Sequence, residues 1–332
     1  MIDYKRFIEE TFYLKNKDGL IVPFYLNEVQ DSYNTQLITD YPDMIGIREN
    51  DLKGRQFGIS TFIAAIFTTD FIYSSLGLIP LTDSDMYSHK DKETRAHFKR
   101  VNMFLDSWLL KDQGGSYLNP EHRKELPALR KSFLRTDSDS GLIVSNNGTE
   151  LQTATAGAKV SGRGNTRANL HWSEIAFYPN TQIMSAENLV VGAEEQVPQG
   201  RGKIFRESTG NLAADYFARE YKLGKDGMSE FKSRFMAWYT HKEYKLEAPV
   251  RWEAPEYYFK LLADGQATLN QCFWHFTKTR GLTDKKKLRE YPTYDTEAFL
   301  YGGDPWFNAE ALLRATNSVQ KPIKEADYVL GL

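Results

Sequence analysis

The chain has 332 residues, 41% hydrophobic and 26% charged, enough for one large α/β domain or for one domain with a small appendage. Its 42 basic and 44 acidic residues leave a net charge of −2, which excludes a global field drawing it to nucleic acid but not local patches that grip and release it. No apolar run reaches the roughly 18 residues of a membrane span, the single Cys272 excludes an internal disulfide and fits a reducing compartment, and the six scattered histidines make no zinc pattern.

In chain order, apolar residues at helical spacing (Ile2, Phe7, Ile8, Phe12) predict an N-terminal helix within 2–16, followed by a turn at Asp18-Gly19. The segment Pro23-Phe24-Tyr25-Leu26-Asn27-Glu28-Val29-Gln30 comes next. Gln30 is either a solvent-facing helix residue or an amide that offers a donor and an acceptor to a base edge. The stretch Asp51-Leu52-Lys53-Gly54-Arg55-Gln56-Phe57-Gly58-Ile59-Ser60-Thr61 reads as a polar, glycine-punctuated loop that hands over to an apolar helix near Ser60. Backbone N–H groups of such a turn converge on one anion, and a hydroxyl at the helix start can hold Mg²⁺. Against the common pattern G-x-x-x-x-G-K-[ST], Ile59 stands where the lysine belongs. The positive charge has moved to Lys53 at the loop entrance, with Arg55 behind it. A plain surface turn before a helix is the competing reading.

Beyond that helix, Leu76 to Asp85 predicts a strand carrying Asp83 and Asp85 to a sheet edge, and Lys90 to Leu110 an amphipathic crossover helix. Residues 119–131 read as a loop or solvated face. Asn147-Gly148 between two strand-like runs signals a hairpin. Strands alternating with helices imply an α/β fold with a largely parallel central sheet. A Gly-rich stretch then leads through Arg163 and Arg167 to Leu170-His171-Trp172-Ser173-Glu174-Ile175-Ala176-Phe177, and a later strand ends in Glu207-Ser208-Thr209-Gly210-Asn211. From Phe217 onward aromatic density rises, and these rings read as core more readily than as base-stacking platforms.

Lys-Gly-Arg-Gln-x-Gly-x-Ser-Thr at 53–61 resembles the deviant Walker A of the large subunits of tailed-phage DNA-packaging terminases. Other motifs occur in that family's order: Pro-Phe-x-Leu-Asn-x-x-Gln at 23–30, Leu-His-x-Ser-Glu-x-Ala-Phe at 170–177, Ser208-Thr209, and Tyr291-Pro292 followed by Glu297-Ala298-Phe299. The resemblance runs from Pro23 to Phe299. It implies a P-loop NTPase of the ASCE type with a small lid subdomain, divided as 1–215 (ATPase core), 216–320 (lid and linker) and 321–332. Ala326 to Leu332 resembles the first strand of the family's nuclease, so the chain reads as the ATPase portion alone. Implied cofactors are ATP and Mg²⁺. Residues Gln30, Lys53, Gly54, Arg55, Gln56, Phe57, Gly58, Ile59, Ser60 and Thr61 would bind ATP. Ser60 would hold Mg²⁺, with Ser173, in place of the usual Asp, acting only through water. Glu174 would activate the attacking water. Arg163 acting across a subunit boundary and Arg55 acting within its own subunit compete as the arginine finger. Ser208, Thr209 and Asn211 would couple hydrolysis to movement. Implied partners are double-stranded DNA, a portal protein, a small terminase subunit and further copies in a homo-oligomeric ring, a pentamer when assembled and a monomer in isolation. The implied location is the host cytoplasm, docked transiently on the procapsid and absent from the mature virion. A helicase-like ATPase and a nucleotide-binding scaffold without turnover are the alternatives, the latter favoured by Ile59 and Ser173.

Overall fold

The computed structural model describes residues 1–157, 166–179 and 185–299. Helix α1 (Tyr4–Thr11) is capped by Asp3, and it stops short of the predicted span because Tyr13–Lys15 (β1) pairs antiparallel with Ile21–Pro23 (β2) around the Asp18-Gly19 turn. Helix α2 (Glu28–Asp40) opens with a capping box, in which Asn27 accepts from the Gln30 N–H and Gln30 accepts from the Asn27 N–H. Strand β3 (Arg48–Lys53) then delivers the chain to helix α3 (Ile59–Ser75). Apolar on nearly every side, α3 has to be buried, and it is.

Strand β4 (Ser84–Ser88) overlaps the predicted 76–85 run only at Ser84 and Asp85, because Gly77 in the left-handed region ends α3 and Leu78 to Asp83 form the connection; Asp83 and Asp85 thus stand at the start of an inner strand, not at the end of one. Helix α4 (Asp91–Asp112) crosses over as predicted. Within 119–131 the structure adds helix α5 (Leu126–Phe133), half solvated, leading into β5 (Leu134–Asp137). Strands β6 (Leu142–Ser145) and β7 (Glu150–Thr155) form the predicted hairpin. There follow β8 (Asn169–Ser173), α6 (Ala186–Glu194), β9 (Lys203–Ser208), α7 (Tyr216–Lys225), β10 (Lys232–Met236), and helices α8 (Phe259–Ala263), α9 (Leu269–Thr279) and α10 (Asp284–Glu290).

The main sheet has the order β10-β3-β9-β8-β4-β7-β6-β5, parallel from β10 to β7 and antiparallel at the β5–β6 edge. One apolar layer, which includes Phe62, Phe67, Phe104 and Phe205, lies between this sheet and helices α1 to α4. The second, around Leu52, Leu170, Trp172 and Ile204, lies under α6 and α7. The fold is thus α/β with a mostly parallel sheet covered on both faces, as predicted. The predicted domain boundary at 216 needs correction. Strand β10 pairs residue for residue with β3, so the core continues to Met236 and the appended helical unit begins after it. The aromatics of that unit (Trp238, Tyr244, Tyr258, Tyr291) are buried core, as predicted. Residues 321–332 lie outside the described residues.

Candidate active site

In an open parallel sheet the strand C-termini border the natural crevice. Here β3 ends at Lys53, β8 at Ser173 and β9 at Ser208, side by side. Because β9 lies between β3 and β8, two different strands flank the one that carries the Ser-Thr pair.

The turn 54–58 is shaped by two left-handed residues, Gln56 (φ 62°) and Gly58 (φ 79°). A Cβ at Gly58 would sit 2.7 Å from Gln30 Nε2, so glycine is required twice over. Among the described residues, the amide N–H groups of Gln56, Phe57, Gly58, Ile59 and Ser60 have no hydrogen-bond partner. Five adjacent free donors at a helix start form an anion-binding concavity. Beside them opens a cleft of about 630 Å³ bordered by Gln56, Gly58, Thr61, Arg100, Phe104 and His241. Phe57 is buried against His241 and Tyr244 rather than offered to a ligand, and Ile59, in the place of the usual lysine, is core.

Four separate segments converge behind the turn. The Lys53 ammonium, 5% exposed, lies 2.9 Å from Glu174 Oε1 and 2.9 Å from Glu207 Oε2. Ser60 Oγ donates to Glu207 Oε1 at 2.6 Å, and the same oxygen lies 3.2 Å from His171 Nε2. Glu174 Oε2 accepts from the Thr209 N–H (3.2 Å), the Thr209 hydroxyl (3.3 Å) and the Ser208 hydroxyl (3.4 Å). Asn211 Nδ2 donates to the Ala176 carbonyl at 2.9 Å, tying the Ser-Thr turn to the turn after Glu174. Glu174 itself holds φ 54°, a left-handed conformation uncommon for a side-chain-bearing residue and often found at functional sites.

Electrostatics follow from burial. Desolvation alone would raise the Glu207 carboxyl, but the charge of Lys53 and the hydrogen bonds from His171 and Ser60 hold it well below the usual carboxylate range. Desolvation would likewise lower Lys53, and the attraction of Glu174 and Glu207 reverses this, pushing the ammonium upward. Lys53 and Glu207 are therefore held as a charged pair at neutral pH, with the Glu174 carboxyl as the second oxygen partner of the ammonium.

Several predicted residues are engaged with the protein itself. Gln30 is buried, its Nε2 donating to the Gly58 carbonyl (2.8 Å) and its Oε1 accepting from the Asn27 N–H (3.0 Å). Its amide braces the turn, and the residue also borders the cleft beside it, where the sequence expectation places the adenine. The Arg55 side chain, 57% exposed, pairs with Glu290 at 2.7 Å, while its N–H and carbonyl bond Glu290 and Tyr244. Arg55 thus fastens the turn to the helical unit, and its charge is already matched. Arg167 is buried in an ion-pair cluster with Asp83, Asp85 and Glu150. Arg163 lies outside the described residues. Ser173 is buried at the end of β8, with Glu207 opposite it in the parallel register. Sequence reasoning gave no role to Glu207 or His171. The available signal was a carboxylate one position before the Ser-Thr pair, two residues that face opposite sides of a strand.

The donor set fits Mg²⁺ with a nucleoside triphosphate. Mg²⁺ is held by few protein oxygens together with phosphate oxygens, and Ser60 Oγ beside Glu207 supplies such oxygens next to the free amides.

No protein-family model and no curated protein matches the chain. Among solved structures it is similar to the HK97 bacteriophage large terminase, at 13% identity and a TM-score of 0.55, covering 90% of this chain and 55% of that one. It is also similar to the large terminase ATPase domain of Thermus phage P74-26 (13% identity, TM-score 0.44, 77% and 91% of the two chains). A third is the large terminase of another thermophilic bacteriophage (12% identity, TM-score 0.40, 64% and 46%). The first likeness shows a shared fold, α/β with a mostly parallel central sheet, and the chain spans 55% of the length of that relative.

Proposed function

We propose that this chain is the ATP-hydrolysing motor unit of a phage large terminase, driving double-stranded DNA into a procapsid. The observation that supports it is the Lys53–Glu174–Thr209 chain of contacts. It links a phosphate-binding turn, a water-activating carboxylate and a coupling pair, drawn from separate parts of the sequence, within direct bonding distance.

When bound, ATP with Mg²⁺ supplies the electrophilic γ-phosphoryl group. The amides of residues 56–60 hold the phosphates, and Lys53 exchanges its carboxylate partners for phosphate charge. This answers the missing lysine at Ile59. Glu174, released from Lys53, orients the attacking water and accepts its proton. Ser208 and Thr209 bond that same carboxylate, so a shift of Glu174 pulls directly on the β9 turn. Gly210 carries the shift outward, since its Cα is packed against Ala298. Working as a ring on a portal, with a small terminase subunit as DNA-recruiting partner and Arg163 as a finger from the neighbour, the chain would act in the host cytoplasm.

The test is Mg²⁺-dependent ATP turnover over a range of protein concentrations, with linear double-stranded or single-stranded DNA. Turnover that rises with concentration and with duplex DNA supports the motor reading. Partial recovery on mixing Glu174→Gln with Arg163→Ala supports the shared site. Stimulation by single strands alone favours a helicase-like ATPase, and ATP binding without turnover at any concentration favours a scaffold.

A further inference from the structure

We propose that Glu207, on β9, is the carboxylate that anchors Mg²⁺ in this site, taking over the charge that Ser173 lacks on β8. The assignment rests on the nucleotide-site reading above.

Consider what a hydroxyl must do to ligate a cation. Its oxygen lone pairs turn to the metal, so its single proton has to be donated elsewhere. Ser60 already donates that proton to Glu207 Oε1 at 2.6 Å. Its oxygen is thereby oriented with lone pairs free, at the start of α3 and next to the unpartnered amides of the turn. The other Glu207 oxygen, Oε2, lies 2.9 Å from the Lys53 ammonium and accepts no aligned hydrogen bond, although it is buried. Once Lys53 moves to phosphate, Oε2 is left as an uncompensated anionic oxygen in a dry site, which a divalent cation can neutralise.

Register explains how the carboxylate can sit on the neighbouring strand. In the parallel β8–β9 pair, Ser173 and Glu207 are direct partners. Side chains at paired positions of adjacent strands emerge on the same face, about one strand spacing apart. The longer Glu side chain, reaching from β9, spans the offset that a shorter Asp on β8 would not need to cross. Glu207 is 0% exposed, and its neighbour His171 steadies it from β8. Glu174, by contrast, is engaged by Lys53 and by Ser208 and Thr209, and has no contact with Ser60 among the described hydrogen bonds. The two carboxylates are thus divided in role: Glu207 toward the cation, Glu174 toward water.

The experiment measures binding and needs no turnover. A fluorescent, non-hydrolysable ATP analogue is titrated into wild type, Glu207→Gln, Ser60→Ala and Glu207→Gln/Ser173→Asp, in Mg²⁺ and in chelator, with circular dichroism confirming the fold. Wild type is expected to bind more tightly with Mg²⁺. Glu207→Gln should lose about tenfold or more of that Mg²⁺ gain while its affinity in chelator is kept or raised. Ser60→Ala should lose it too. Ser173→Asp, which returns a carboxylate to the paired position, should restore part of it. A folded Glu207→Gln protein that keeps the full Mg²⁺ gain overturns the assignment while leaving the nucleotide site standing. A wild type that binds no analogue under either condition overturns the nucleotide-site reading itself. If Glu207→Gln fails to fold, wild type carries the test: Fe²⁺-directed oxidative cleavage with bound ADP should cut the backbone beside residue 207, and an intact β9 overturns the proposal.

Discussion

Replacing Lys53 with Met should be among the most damaging single changes, for a reason the geometry makes quantitative. Each carboxylate lies 2.9 Å from the ammonium, an attraction of about 6 kcal/mol per pair at an effective dielectric of about 20, before the cost of desolvating the charges is subtracted. The Glu174 side chain is 24% exposed, so water screens part of that pair, whereas Glu207 is wholly buried. Removing the cation leaves Glu207 charged and unmatched, a loss of about 3–5 kcal/mol for a broken buried pair. The second change tells the cause. In Lys53→Met/Glu207→Gln the buried charge is gone, and about half of the loss should return. Lower pH should also rescue the single variant relative to wild type, since without Lys53 both burial and Glu174 raise the Glu207 carboxyl and protonation relieves it. Urea unfolding at pH 7.5, with unchanged m-values, reads all three proteins. A Lys53→Met protein within about 1 kcal/mol of wild type, or a double variant less stable than the single one, would refute the shared-cation argument.

Three further outcomes follow from contacts away from that pair. Gly210→Ala drives a Cβ to 2.1 Å from the Ala298 carbonyl oxygen, a backbone atom that cannot step aside; unfolding should show a loss of about 1–3 kcal/mol, with turnover falling as Thr209 leaves Glu174. Gln30→Ala removes half of the α2 capping box and the brace on Gly58; a loss of about 1–2 kcal/mol is expected, together with weaker nucleotide binding because the turn is less ordered. Burial pulls His275 from 6.5 to about 3, with its Nε2–H donating to the Tyr291 carbonyl and its Nδ1 accepting from the Tyr258 hydroxyl. The unfolded chain therefore takes up the proton first, so this stability is complete above about pH 6.5 and drains away as pH falls toward 3, about 2 kcal/mol being lost by pH 5; the pH 7.5 to 5 difference in urea unfolding should shrink by that amount in His275→Gln.

What could be read from the sequence was whatever depends on local order. Helix α3 declares itself by an apolar run, the hairpin by Asn147-Gly148, and Glu174 and Ser208-Thr209 by their positions after strands. Strands β3 and β10 were not legible. Their sequences, Arg-Glu-Asn-Asp-Leu-Lys and Lys-Ser-Arg-Phe-Met, carry charges that look solvated. In the fold these charges are matched across long distances: Arg234 with Glu49 and Asp40, and Asp51 with the Tyr33 hydroxyl. Partners so far apart in sequence leave no periodic trace, and with β10 unseen the core was cut short at 215. Glu207 was hidden for a related reason. Its importance comes from cross-strand register with Ser173 and from Ser60 above it, relations that no spacing along the chain expresses. The Asn27-x-x-Gln30 pattern is also legible as a capping box, which the sequence reading left out.

Glu174 as the water-activating group, in an ATP site built on Lys53, Ser60 and the β9 turn, is tested most directly by Glu174→Gln, which keeps the size and one acceptor oxygen but cannot take a proton. Nucleotide affinity and Mg²⁺-dependent turnover are measured on the same sample. Affinity should stay within about threefold of wild type while turnover falls by about 10²-fold or more. Turnover that survives the substitution, in a protein that still binds ATP, would contradict this role.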